Sequence, residues 1–321
     1  MQKIIVKSKV ERNDKMEMSP KYYIDMGSST IKVNSYEKGI LTLVEEKSVI
    51  LKKNFSEEQG ISSHDYLTVF RFLMECTKKY SLTECNTRII ATGIWRQIPK
   101  SQWDSVKADI HDRGLTIERI SHDQENYYFQ KAMQGIYEGK RILMVNMGGK
   151  TTELVVIDKG NVKEKVNLNL GVGDILKQFP TINDIDQAPS LDEILMFAKD
   201  KITESIDFSC DCAIHTGGEL RFQQLANYHL VPNTIFHDVN HPYMVSLTDF
   251  QYRNQEILEK VTLAELREWL PQNPTWMDEA KAGAILGQAI FEKANVPYIV
   301  PSDLNIIHGV VKEENNLLKQ K

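Results

Sequence analysis

Two stretches far apart in the chain carry the same set of residues that could grip a phosphate. Residues 24–33 read IDMGSSTIKV and residues 145–154 read VNMGGKTTEL. Asp25 falls opposite Asn146, Gly27 opposite Gly148 and Thr30 opposite Thr151. In each, a strand-prone run (Tyr22, Tyr23, Ile24; Ile142 to Val145) meets a polar position, then Met-Gly and a hydroxyl-rich step. A strand–glycine turn–strand hairpin can leave successive backbone N–H groups pointing outward, which makes an anion-binding nest. Two such nests predict a duplicated fold that holds a phosphate chain between its halves. Gly27, Ser28, Ser29 and Thr30 are the expected donors in the first turn, and Gly148, Gly149, Lys150, Thr151 and Thr152 in the second. The Asp25 carboxylate cannot donate to a phosphate, but it can hold Mg²⁺ or orient a water. The ordinary alternative is an acid that caps its own turn.

Other spacings point less far. His237 and His241 stand four apart, which on a helix would put both on one face as metal ligands. The segment HDVNHP is a poor helix, with Pro242 directly after, so a pair of loop histidines is the better reading. His122 and His215 are read as structural. Cys210-Asp211-Cys212 lacks the C-x-x-C spacing of redox and zinc sites, and the four cysteines form no framework. They read as unpaired thiols of a cytoplasmic protein. Gly217, Gly218 and Arg221 occupy a strand-to-helix turn, a further place for an anion.

The elements that must position these residues alternate along the chain. Residues 21–44 read as strand, turn, strand, with Lys38-Gly39 opening the next hairpin. Residues 56–80 carry helical spacing through Leu67, Phe70, Leu73 and Met74. A strand is expected at 87–92, a helix at 100–113, a strand at 115–120 and a helix at 121–138 opened by Ser121. The second half restarts at Arg141 with its own hairpin and a strand over 161–171. Helices follow at 172–179 and 190–206, then a strand at 213–216 running into the helix ELRFQQLANYH. Helices over 246–269 and 276–292 are separated by Pro271 and Pro274. Strand and helix alternate in both halves, so the class is α/β. The 321 residues suffice for about two domains. No apolar run reaches the ~18–20 residues of a membrane span. The N-terminal residues, with only a short leading strand, lack the apolar core of a secretory signal. A net charge of −5 argues against nonspecific nucleic-acid binding, while leaving room for a local cationic cleft.

The order of motifs resembles the exopolyphosphatase / guanosine pentaphosphate phosphohydrolase (Ppx/GppA) family, from about residue 21 to 312. DMGSST (25–30) looks like the family's D-x-G-S-x-S, ATGIWRQ (91–97) its A-T-x-x-x-R, and ISHDQEN (120–126) a degraded I-S-G-x-E-E-A. NMGGKTTEL (146–154) looks like D-I-G-G-G-S-T-E-L. NLGVGDI (169–175), HTGGELRFQQLA (215–226), KAGAILGQAIF (281–291) and SDLNIIHGVVKE (302–313) resemble the segments that follow. The resemblance implies two duplicated actin-like (ribonuclease H-like) lobes around a central cleft. It places an N-terminal lobe at 1–122, a C-terminal lobe at 123–302, and residues 303–321 packing back on the first lobe. It implies cleavage of a terminal phosphoanhydride by water with Mg²⁺ or Mn²⁺. The substrate would be inorganic polyphosphate or a guanosine polyphosphate. Arg96 matches the family's phosphate-binding arginine, Glu125 its catalytic base, and Glu153, with Asp25 and Asn146, its metal-binding positions. Gly217, Gly218 and Arg221 match a region that touches nucleotide in relatives. Family members are often dimers, and a homodimer is a corresponding expectation.

Four positions depart from the family pattern. Asn146 replaces an aspartate, Lys150 a glycine, Gln124 the first of two paired glutamates, and His122 the glycine before them. A catalytically weak sensor of polyphosphate or of a guanosine polyphosphate is therefore the competing reading. A kinase using ATP is a third, but it needs a catalytic Asp early in the second lobe, for which there is no convincing candidate.

Overall fold

Each glycine hairpin opens one of two mixed β-sheets. The structure, a computed structural model, describes residues 21–49, 51–133, 139–238 and 240–319. The short leading strand expected before residue 21 lies outside them, as does the end of the helix expected over 121–138. In the first half, β1 (Lys21–Met26), β2 (Thr30–Glu37) and β3 (Ile40–Ser48) form an antiparallel meander. Helix α1 (Ser63–Tyr80) crosses to β4 (Thr87–Ala91), which runs parallel to β1. It starts later than expected because the Ser62 hydroxyl accepts the Asp65 N–H, and residues 56–60 close a small loop instead. Helix α2 (Lys100–His111) then leads to β5 (Ile117–Arg119), and the sheet order is β3-β2-β1-β4-β5.

Helix α3 (His122–Met133) leads into a second round of the same plan. Strands β6 (Arg141–Met147), β7 (Thr152–Asp158) and β8 (Asn161–Leu168) repeat the meander. Helices α4 (Val172–Gln178) and α5 (Leu191–Ile202) cross to β9 (Cys212–Thr216), parallel to β6. The chain continues through α6 (Glu219–Leu225), β10 (Val231–Pro232), β11 (Tyr243–Ser246), α7 (Leu247–Lys260), α8 (Leu263–Trp269), α9 (Ala280–Lys293), β12 (Tyr298–Pro301) and α10 (Ile306–Lys319). The second sheet runs β10-β11-β12-β9-β6-β7-β8.

The helix expected over 246–269 is two. Val261 is extended, and Thr262 starts α8 with a reciprocal capping box to Glu265, so the side chain diverts the backbone from continuing α7. The helix expected over 219–229 stops at Leu225, and Asn227 takes a left-handed turn with φ 56°.

Three apolar clusters hold these layers. One lies between the first sheet and α1 and α2, with Ile24, Val33, Leu73 and Trp103. Another packs α5, α7 and α9 on the second sheet through Leu143, Ile194, Phe250 and Ile290. The third joins the two sheets: Tyr23 and Ile90 meet Met144 and Ile214 through Phe129 and Met133 of α3 and Ile307 and Val310 of α10. Helices α3 and α10 cross so closely that a Cβ on Gly309 would stand 1.7 Å from the Tyr128 carbonyl oxygen. The Tyr23 hydroxyl (2.6 Å) and the Arg88 guanidinium (2.9 Å) both donate to Glu314, which ties α10 to the first sheet.

Candidate active site

The two glycine turns have matching geometry. Gly27 N–H donates to the Thr30 carbonyl at 3.0 Å, and Gly148 N–H to the Thr151 carbonyl at 2.8 Å. Among the described residues, the N–H groups of Ser28, Ser29, Gly149 and Lys150 find no acceptor within the protein. Both turns open on one cleft of about 160 Å³, lined by Asp25, Gly27, Ser28, Ser29, Thr30, Lys32, Glu125, Asn146, Gly148, Gly149, Lys150, Thr151, Glu153 and Gly217, among others. Free N–H groups converging from two sides suit a polyanion.

The hydroxyls mostly have other work. Ser28 Oγ accepts from Ile94 N–H at 2.8 Å, and Thr151 donates to Glu153 at 2.8 Å. Ser29 donates to Glu279 at 3.0 Å, across the cleft. Thr152, expected at the phosphate, is fully buried and donates to the Leu170 carbonyl at 2.7 Å, because an even step along β7 turns it into the lobe. Lys150 reaches the cleft, and its ammonium pairs with Asp174 at 3.2 Å.

Strand register places the acids. Asp25 pairs with Lys32 across β1–β2, and Asn146 pairs with Glu153 across β6–β7. The same two positions of the repeat thus carry an acid and a cation in one turn, an amide and an acid in the other. Burial pushes the Asp25 carboxyl up to about 7 against the pull of Lys32, with Glu125 adding to the rise. Its Oδ1 is buried without a partner. Burial, then the nearby Glu125, pushes Glu153 up to about 8, although Thr151 and the Asn146 amide (3.0 Å) donate to it. Glu125, in the first turn of α3, is 7% exposed and accepts from Arg96 at 2.5 Å.

Four of the expected residues have partners in this structure that their motifs do not announce. Arg96 does not line the cleft; its guanidinium grips Glu125 and stands 3.1 Å from His122 Nδ1, because a short 3₁₀ turn (Gly93–Arg96) aims it at α3. Asn146, expected as a metal ligand, gives its NH₂ to Glu153, and its Oδ1 faces the Thr216 hydroxyl at 3.4 Å. It orients Glu153. Gly218 and Arg221 line a neighbouring cavity with Glu46 and Asp303, where Arg221 pairs with Glu46 at 2.8 Å and covers the Trp276 ring. The histidine pair at 237 and 241 is on a loop, and His241 is buried against Asp238.

A divalent cation fits the acids that remain. Asp25 offers a buried oxygen with no partner and lies near Glu125, which in turn crowds Glu153, with Lys32 and Arg96 as the nearby counter-charges. Oxygen-rich, desolvated and mutually repelling donors are what such an ion stabilises. Lys32, Trp276 and Glu279 are among the cleft residues that the sequence reading did not assign to the site. Lys32 could have been found by extending the repeat seven residues past Asp25, to the partner of Glu153. Glu279 and Trp276 lie in no motif and enter from the 3₁₀ turn (Pro274–Glu279) that precedes α9.

The fold has solved relatives. A Ppx/GppA family member from Aquifex aeolicus superposes with a TM-score of 0.66 at 16% identity, covering 94% of this chain and 98% of that one. An exopolyphosphatase-like protein gives 0.71 at 18% (93% and 99%), and an exopolyphosphatase from Cytophaga hutchinsonii gives 0.65 at 15% (92% and 98%). At these identities the likeness establishes the fold: two duplicated actin-like lobes around a central cleft. No curated protein matches. No helix among the described residues is long and apolar enough to cross a membrane. The Ppx/GppA phosphatase family model matches residues 39–220, more than half of the chain and the stretch that holds Arg96, Glu125, the second glycine turn and Glu153, and the chain belongs to that family.

Proposed function

We propose that the protein hydrolyses a terminal phosphoanhydride, releasing inorganic phosphate from polyphosphate or from guanosine pentaphosphate. One observation carries this reading: two glycine turns with unused N–H donors face each other above three buried carboxylates, Asp25, Glu125 and Glu153. The N–H groups of Ser28, Ser29, Gly149 and Lys150 would take the oxygens of the terminal phosphate, with the Lys32 and Lys150 ammonium groups close by. Glu125 would orient the attacking water and accept its proton. The water oxygen bonds to the terminal phosphorus, and the bridging P–O bond breaks with its electrons on the shortened chain. Asp25 and Glu153 would hold Mg²⁺ or Mn²⁺, which neutralises charge on the phosphate oxygens. Arg96 fixes the position of Glu125. The surroundings of this chemistry are taken to be the cytoplasm.

A second reading has its own observation. Asn146 supplies no charge for the cation, and Lys150 stands where the family has glycine, so a sensor that binds the polyanion and turns it over slowly is the alternative. Phosphate release from long-chain polyphosphate and from guanosine pentaphosphate, across Mg²⁺ and Mn²⁺ titrations with Glu125→Gln alongside, separates the two. Metal-dependent release that drops by about 10²–10⁴ in the variant is the expected result. Binding without release would move the protein to the sensor class, and neither would remove the substrate class.

A further inference from the structure

His122 is the one departure from the family pattern that brings a new kind of donor to the acids. Its Nδ1 lies 3.7 Å from Glu153 Oε1, and donor atoms of His122, Glu125 and Glu153 all lie within 4.8 Å of one another. Two ligands on a common ion at about 2.0–2.2 Å are roughly 3–4 Å apart, so small side-chain adjustments suffice. A positive group already occupies this spot, since the Arg96 guanidinium bridges Glu125 at 2.5 Å and His122 Nδ1 at 3.1 Å. The Nδ1 lone pair therefore faces a cation. A second, independent feature is the unpartnered, buried Oδ1 of Asp25 in the cleft that Glu125 and Glu153 also line.

We propose that His122 contributes a nitrogen ligand beside Glu125 and Glu153, and that the site thereby prefers a first-row transition ion such as Mn²⁺ over Mg²⁺. The proposal rests on the phosphohydrolase reading only for its location. Mg²⁺ takes oxygen ligands almost exclusively, whereas imidazole raises affinity for transition ions. The ion takes the place of Arg96 Nη2 at His122, while Arg96 Nη1 keeps its hold on Glu125. Glu125 has two oxygens, so binding the ion with one leaves the other for water. His122 thus adds a neutral donor to a site in which Asn146 supplies no charge.

The test is Mn²⁺ binding to the full-length, metal-stripped protein, measured by calorimetry and by pulsed EPR for ¹⁴N coupling, on wild type, His122→Ala and His122→Asp. Wild type is expected to bind Mn²⁺ more tightly than Mg²⁺ with a resolved imidazole coupling. His122→Ala should lose the coupling and about tenfold or more in Mn²⁺ affinity, since even supporting partners of ligands are worth that much. His122→Asp should regain affinity without the coupling and narrow the preference for Mn²⁺. The His122 side chain is 37% exposed, so both variants should fold, which a melting curve checks. Unchanged affinity or persisting coupling in His122→Ala overturns the proposal, as does a wild type that binds no Mn²⁺. Coupling without phosphate release from any phosphoanhydride would leave it standing and remove the hydrolase instead.

Discussion

At the scale of single residues, the site is a set of charges that burial has left short of counter-ions. Asp25 and Glu153 have carboxyls raised to about 7 and about 8, so the folded protein binds more protons than the unfolded chain between roughly pH 4 and pH 8. Stability is then greatest below pH 4 on account of these groups and falls as pH rises through 7 to 8. Metal-free protein is expected to melt at lower temperature at pH 8.5 than at pH 6, and added Mn²⁺ should flatten that decline; a metal-free melting temperature that rises over this range would contradict the buried-acid account. Glu125→Gln takes the charge away from the partner of the largely buried Arg96, so it should also cost about 1–3 kcal/mol of stability, measurable by denaturant unfolding. The sequence by itself suggests an open cleft there, where such a change would be thermally silent. Asn146→Asp would set a second carboxylate against Glu153, 3.0 Å from the present amide. It should lower the Mn²⁺ or Mg²⁺ concentration for half-maximal activity severalfold and destabilise the metal-free form. An unchanged metal requirement would mean that residue 146 does not feel the ion.

At the scale of elements, function depends on two helices that carry no phosphate-binding residue of the turns. Helix α3 brings Glu125 to the cleft and His122 beside Glu153, and α10 backs it through the Gly309–Tyr128 crossing. A methyl group there meets backbone on a neighbouring helix and cannot be accommodated by a rotamer change. Gly309→Ala is expected to destabilise by about 2 kcal/mol or more and to weaken activity through displaced Glu125. Urea unfolding curves superimposable on wild type would show the helices to be further apart than described. This crossing was only faintly legible in the chain. The motif SDLNIIHGVVKE marks the segment, but nothing in its spacing says that a glycine faces α3, because the partner surface is about 180 residues away in sequence.

At the scale of the whole molecule, the cleft is closed by a few polar bridges between the halves. Ser29 reaches Glu279, Lys32 reaches the Gly217 carbonyl at 3.4 Å, and Arg221 pairs with Glu46. We propose that the lobes divide at residues 122–123, with residues 303–321 returning to the first lobe; the ties of Tyr23 and Arg88 to Glu314 support that return. Arg221→Ala removes one bridge and the cover over Trp276. It should change unfolding free energy by only about 1 kcal/mol, as partly exposed pairs do, yet enlarge the radius of gyration in solution scattering and raise KM more than it lowers kcat. An unchanged radius and KM would relegate the pair to surface decoration.

The sequence alone determined the class, the duplication and the two turns, because those rest on local rules: strand-forming runs, glycine at a tight step, and helical periodicity are read within a dozen residues. It also singled out Asp25 by its place at the end of a strand, whereas Glu125 and Glu153 were picked out by the resemblance of their segments to the family's motifs. Tertiary structure decided which partners these residues meet. Thr152 turned inward, Arg96 took Glu125 and not the phosphate cleft, Asn146 became a support for Glu153, and His122 came within reach of two acids. None of these outcomes follows from spacing, since each depends on contacts between segments brought together by packing around α3, and hydrogen-bond and ion-pair energies fall off within a few ångströms.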